Sequence, residues 1–117
     1  SGAVAGILLT TFPGDSEENL GRDIGLPESE LLLVAHMDSV AILPEYRGAG
    51  LQKRLMQHAE QELAEQGYRY FMCTVHPENR YSRQNIIKQG FKPVKTALKY
   101  GGYRREIFLR DRSEGLD

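Results

Sequence analysis

Between residues 31 and 75 the hydrophobic period of the sequence changes twice, and this constrains the fold more than any other feature. LLLVAHMDSVAIL (31–43) reads as a long strand whose Val40-Ala41-Ile42-Leu43 end is apolar throughout, as in a strand covered on both faces. From Leu51 the spacing lengthens. Leu51, Leu55, Ala59 and Leu63 recur every four residues with Met56 beside them, while Gln52, Lys53, Gln57, Glu60, Gln61 and Glu65 take the other faces. That predicts an amphipathic helix over 51–66, with Gly67 placed to end it. YRYFMCTV (68–75) returns to an aromatic and β-branched strand. A strand, a crossover helix and another strand imply a parallel βαβ unit.

The flanks complete an α/β (α+β) chain with a mixed central sheet and flanking helices. GAVAGILLTTF (2–12) reads as a strand, and PGDSEENLGRDIGLPESE (13–30) as a long loop with room for a short helical turn. YSRQNIIKQ (81–89) suits a short helix ended by Gly90, and FKPVKTALKY and YRREIFLR flank Gly101-Gly102 as two strands of a hairpin. The 117 residues fit one domain, 1–117, with a modest core. A formal net charge of −1 excludes nucleic-acid binding through global charge. The single cysteine, Cys73, excludes an internal disulfide, suits a reducing cytoplasm and reads as packing. No apolar run approaches the ~20 residues that span a bilayer, and no signal-peptide pattern precedes the first strand. No spacing of ligand residues suggests a metal.

The turn between strand and helix, PEYRGAG (44–50), carries the chemistry. Pro44 stops the ladder, and the amides ahead of Leu51 have no helical partners at a helix start of partial positive charge. Gly48 and Gly50 remove side chains that would hold a bulky anion away, and Arg47 adds a charge suited to phosphate. The segment therefore reads either as a diphosphate cradle or as a plain strand-to-helix turn with a solvated arginine. It is not a Walker loop, which needs a glycine-lysine-serine/threonine ending, and it lacks the third glycine of a dinucleotide fingerprint.

VAILPEYRGAGLQKRLM resembles the signature segment of the GNAT superfamily of acyl-CoA-dependent N-acetyltransferases, Arg/Gln-x-x-Gly-x-Gly/Ala at the strand-to-helix turn. Arg47 and Gly50 match it, while Gln52 stands where a glycine or alanine is usual. NRYSRQNIIKQGF (79–91) resembles a second segment of the same family through Asn79, Ser82 and Gly90-Phe91. The resemblance covers about residues 3 to 110 and implies a GNAT-like fold with acetyl-CoA (or coenzyme A) as co-substrate and no metal. It implies transfer of an acetyl group to a primary amine by direct attack in a ternary complex. The acceptor would be a small-molecule or peptide amine, with no nucleic acid or membrane involved and room for a homodimer.

By the same resemblance, the splayed strand end Val40-Ala41-Ile42-Leu43 pairs with the pantetheine arm, and the Ile42 amide polarises the thioester carbonyl. Residues Arg47, Gly48, Ala49, Gly50, Leu51 and Gln52 hold the pyrophosphate. Asn79 bonds the coenzyme arm or caps the second helix, Ser82 faces the coenzyme or helps the cap, and Arg83 reaches the 3′-phosphate or solvent. The position where many members carry a tyrosine acid is Ile86, which leaves Tyr81, Tyr100, Tyr103 or an unaided thiolate. A non-catalytic acyl-CoA-binding or sensor module of the same fold is the rival reading. The family also begins with a further strand and two helices for which this sequence offers no segment. That implies a truncated chain, a missing wall of the acceptor site, or one supplied by a partner chain.

An amine with a pKa near ~10.4 must lose a proton before it attacks. Asp38, four residues before Ile42, is the leading candidate base, with His36 two residues earlier on the same strand face and a solvated edge carboxylate as the other reading. His76 reads as a loop residue within reach of the cleft. Asp15, Glu17, Glu18, Asp23, Glu28 and Glu30 face only Arg22 within their segment and read as a solvated loop or a steering field for a cationic amine. Lys95, Lys99, Arg104, Arg105 and Arg110 read as a solvated basic face.

Overall fold

A computed structural model of the chain describes residues 6–43, 45, 50–99 and 101–112, without the side chains of residues 39–42. In chain order it contains β1 (Gly6–Thr11), a 3-10 turn (Leu20–Ile24), the short helix α1 (Glu28–Leu31) and β2 (Val34–Ile42). Then follow α2 (Leu51–Glu65), β3 (Tyr70–Val75), α3 (Arg80–Lys88), β4 (Lys92–Lys99) and β5 (Tyr103–Asp111). The five strands form one sheet in the order β1-β2-β3-β5-β4. β2 and β3 run parallel, as their crossover helix requires, and every other neighbouring pair is antiparallel.

Each face of the sheet has its own apolar cluster. On one, Ala35, Met37, Phe71, Cys73, Val75 and Phe108 are buried with Met56 and Leu63 of α2, Ile86 of α3 and Phe91. On the other, Val34, Tyr70, Met72 and Ile107 are buried with Leu20 of the 3-10 turn. The alternation of the strands thus sorts β3 into Phe71, Cys73 and Val75 towards α2 and α3, and Tyr70 and Met72 towards the long connection. Cys73 is 7% exposed, and burial pushes its thiol pKa up to about 12, so it packs as an inert hydrophobe.

Two expectations need correction. The strand expected from Leu31 begins instead at Val34, because Pro27 opens α1 and Glu28 and Glu30 lie at the positive end of that helix. A run of three leucines cannot distinguish helix from strand by its own period. The 13–30 connection is not merely a wet loop. Asn19 is 0% exposed, and its amide donates to the carbonyls of Gly14 (2.8 Å) and Leu31 (3.0 Å) while its Oδ1 accepts the Gly21 N–H (2.8 Å). One side chain therefore staples both ends of the connection. Its charges are also engaged: Asp23 pairs with Lys99, Glu30 lies 3.6 Å from Arg69 and accepts the Tyr70 hydroxyl at 2.9 Å. Lys99, paired with Asp23, and Arg110, paired with Glu60 of α2, leave the solvated face on which the sequence placed them.

Candidate active site

The parallel ladder between β2 and β3 is short. It pairs Val34 with Tyr70, Ala35 with Phe71 and His36 with Met72, and then stops. Both strands continue beyond that point with their outer neighbours, β2 on β1 as far as Ile42 opposite Gly6, and β3 on β5 as far as Val75 opposite Glu106. The two inner edges therefore separate at their C-terminal ends and leave main-chain groups available to an extended ligand. A bulge accompanies the separation. Leu9 pairs with Ser39 but Thr10 pairs with Met37, so Asp38 is the extra residue on β2. A bulge bends and twists its strand, and this one lies two residues beyond the last parallel pair.

The helix facing the opening starts unusually. The N-cap of α2 is Gly50, at φ 73, with no side-chain capping bond. Among the described residues, a Cβ built there would meet no heavy atom within 4 Å. The Arg54 N–H is bonded to the Gly50 carbonyl at 3.1 Å, while the amides of Leu51, Gln52 and Lys53 precede the first intrahelical bond. By contrast, α3 is capped by Asn79 and the 3-10 turn by Asn19. Leu51 and Gln52 are half-buried and Leu43 is exposed. Ala41 and Ile42 lie on β2 opposite Ile7 and Gly6. Arg47, Gly48 and Ala49 lie outside the described residues, as does Tyr100.

Across the opening, Asn79 Oδ1 accepts the Ser82 N–H at 3.1 Å. Asn79 is thus the cap, and Ser82 contributes its main chain to it. Arg83 makes a two-pronged contact with Glu106 of β5, Nε to Oε1 at 2.7 Å and Nη2 to Oε2 at 3.2 Å, which ties down the side chain considered for the 3′-phosphate. Nothing in local spacing signalled Glu106 as its partner. Ile86 is 7% exposed and belongs to the core, so α3 supplies no acid there. Tyr81 and Tyr103 are exposed, and Arg105 stacks its guanidinium 5.5 Å from the Tyr103 ring centroid. His76 Nδ1 accepts the Glu78 N–H at 3.1 Å, which puts the proton of the neutral ring on Nε2.

The two candidate bases have different surroundings. The exposed Asp38 carboxylate accepts the Thr11 hydroxyl at 2.6 Å. Thr11, a positioning partner from the edge strand, carried no sequence signal. His36 is buried, and its Nε2 accepts the Leu20 N–H at 3.1 Å. Burial lowers its pKa, with Lys99 acting the same way and Asp38 and Glu18 opposing. Its lone pair is thus used to anchor the 3-10 turn. Among the described residues, no group of His, Cys, Asp or Glu side chains is arranged to hold a metal, and no helix is long and apolar enough to cross a membrane.

Solved structures share this mixed sheet that opens beside a glycine-led helix. A GNAT-family protein from Desulfovibrio desulfuricans superposes with a TM-score of 0.72 at 14% identity, covering 96% of this chain and 64% of that one. The ribosomal-protein-S18-alanine N-acetyltransferase of Escherichia coli gives 0.67 at 19% identity, over 94% of this chain and 63% of that one. The yncA protein of Salmonella typhimurium, solved with acetyl-CoA, gives 0.68 at 16% identity, over 99% and 62%. The chain thus spans somewhat under two thirds of these relatives' length. No curated protein matches the sequence. The family model for GNAT acetyltransferases matches residues 7–91, and the chain belongs to that family.

Proposed function

We propose that the chain moves an acetyl group from acetyl-CoA to a primary amine, by direct attack of the amine on the thioester in a ternary complex. One observation carries the reading: the β2–β3 ladder ends at His36–Met72 although both strands run on. The edges so exposed suit the amide-bearing pantetheine arm, and the uncapped start of α2 suits its diphosphate. Bound acetyl-CoA would supply the activated thioester.

The roles follow from position. Main-chain groups of Ala41, Ile42 and Leu43 line the arm, and the Ile42 N–H is assigned to the carbonyl oxygen as negative charge develops on it. Arg47, Gly48, Ala49, Gly50, Leu51 and Gln52 hold the phosphates. Asn79 spends its carbonyl on the cap, which leaves its amide nitrogen to donate to the arm. Ser82 stays within the cap. Asp38, oriented by Thr11, takes the proton from the ammonium form of the acceptor, directly or through water. With Ile86 in the core, the thiolate leaves without an acid at that position, which a thiol pKa near ~8.5 permits. The acceptor is a small-molecule or peptide amine.

The buried Ile86 also favours a second reading, an acyl-CoA sensor without turnover. Free-thiol release from acetyl-CoA across a panel of amines separates them. Amine-dependent release supports the transferase, whereas coenzyme A binding with no release for any amine supports the sensor.

A further inference from the structure

At the end of the sheet remote from the opening, α2, α3 and β5 line a solvent-open pocket of about 380 Å³. The residues that line it are all of polar type: Gln57, Glu60 and Gln61 of α2, Gln89 at the end of α3, Arg110 of β5 and Arg112 just beyond it. Two of the three charges satisfy each other, because Arg110 Nε donates to Glu60 Oε1 at 2.6 Å. Arg112, whose charge also acts on Glu60, leaves the lining with one net positive charge.

Among the described residues, the buried side-chain polar atoms that lack a hydrogen-bond partner are Gln89 Oε1 and Arg112 Nε. Both belong to this one cavity, and one is an acceptor and the other a donor. Burying such groups unpaired destabilises a fold, and natural proteins supply them with water or a ligand. The volume exceeds by roughly tenfold the ~30 Å³ share of a single water. It therefore suits a molecule of several heavy atoms.

The charge pattern narrows its chemistry. An apolar ligand would leave both atoms unpaired. A phosphate dianion would exceed the single uncompensated positive charge and confront the Glu60 carboxylate in the wall. A monocarboxylate balances Arg112 and matches the planar fork of its guanidinium. A hydroxyl next to that carboxylate would donate to Gln89 Oε1. We propose that this cavity binds a small 2-hydroxy monocarboxylate, held by Arg112 and Gln89, at a site separate from the acetyl-transfer opening.

The test is thermal unfolding and calorimetric titration of the full chain with L-lactate, against propionate, lactamide and inorganic phosphate at matched ionic strength. Lactate is expected to raise the melting temperature saturably, with propionate at least tenfold weaker and lactamide without effect. Arg112→Gln should weaken lactate at least tenfold, and Gln89→Leu should abolish the preference for lactate over propionate. The ligand-free melting temperature of each variant is measured alongside, so that a loss of lactate binding is separated from a loss of fold. No saturable effect of lactate, tighter binding of phosphate, or affinity unchanged in Arg112→Gln would overturn the proposal. Because the readout is binding, its outcome is independent of whether the opening transfers acetyl groups.

Discussion

Gly90 offers the sharpest test of how this fold is held together. It follows α3 at φ 95, and a Cβ built on it would lie 2.2 Å from Arg110 Nη1 and 3.2 Å from Arg110 Cζ. Arg110 cannot simply swing aside, because its Nε is bonded to Glu60, which is 2% exposed. In Gly90→Ala the positive φ costs about 1–2 kcal/mol. Dislodging Arg110 adds about 1–3 kcal/mol, less than the ~3–5 of a fully buried broken pair, because its side chain is 32% exposed. The sum, about 2–5 kcal/mol, corresponds to a melting-temperature loss of roughly 8–20 °C in a chain of this size. Burial raises the Glu60 pKa and Arg110 opposes that rise, so the same variant should move the Glu60 titration further up. Calorimetry of Gly90→Ala, Arg110→Ala and the double variant tests the account. With Arg110 already removed, the second substitution should cost only the ~1–2 kcal/mol of its backbone conformation. Costs that add to within ~0.5 kcal/mol would show that the contact constrains nothing.

Other outcomes follow from the same geometry. His36 has a lowered folded pKa, so the unfolded chain binds the extra proton first, and stability should fall as pH drops through about 6.5 towards that lower value. The slope cannot exceed ~1.4 kcal/mol per pH unit from this group, and it should flatten in His36→Gln when unfolding is followed by denaturant titration at several pH values. Asn19→Ala removes three hydrogen bonds from a fully buried side chain and should cost roughly 2–4 kcal/mol, with amide exchange accelerated first across 14–31. Arg47→Glu should weaken coenzyme A binding in calorimetry by placing a carboxylate beside phosphate; unchanged affinity would remove the diphosphate cradle. Asp38→Asn should lower turnover with little change in coenzyme affinity, and full activity across the pH range would dismiss it as the base.

The elements that frame the candidate site were legible in short stretches of sequence. The change from strand period to helix period around 43–51 located the start of α2 at Leu51. Gly50 does lead α2 from a left-handed conformation, and Asn79 does cap α3. Other features lay beyond local pattern. The Thr11–Asp38 bond joins residues 27 apart, and Arg83 finds Glu106 at a separation of 23. Leu31–Leu33 misled because an apolar run reads alike in helix and strand until its caps are considered.

Local periodicity and glycine-proline punctuation by themselves determined the βαβ unit and the starts of α2 and α3, because those choices depend on neighbours within a few residues. Only the tertiary structure decided that β5 lies inside β4, that the inner ladder ends at His36–Met72, and that Arg110 and Arg112 face a cavity with Gln89. Such features arise from pairing and packing between distant segments, where the bulge at Asp38 and the twist it adds are felt across a whole sheet.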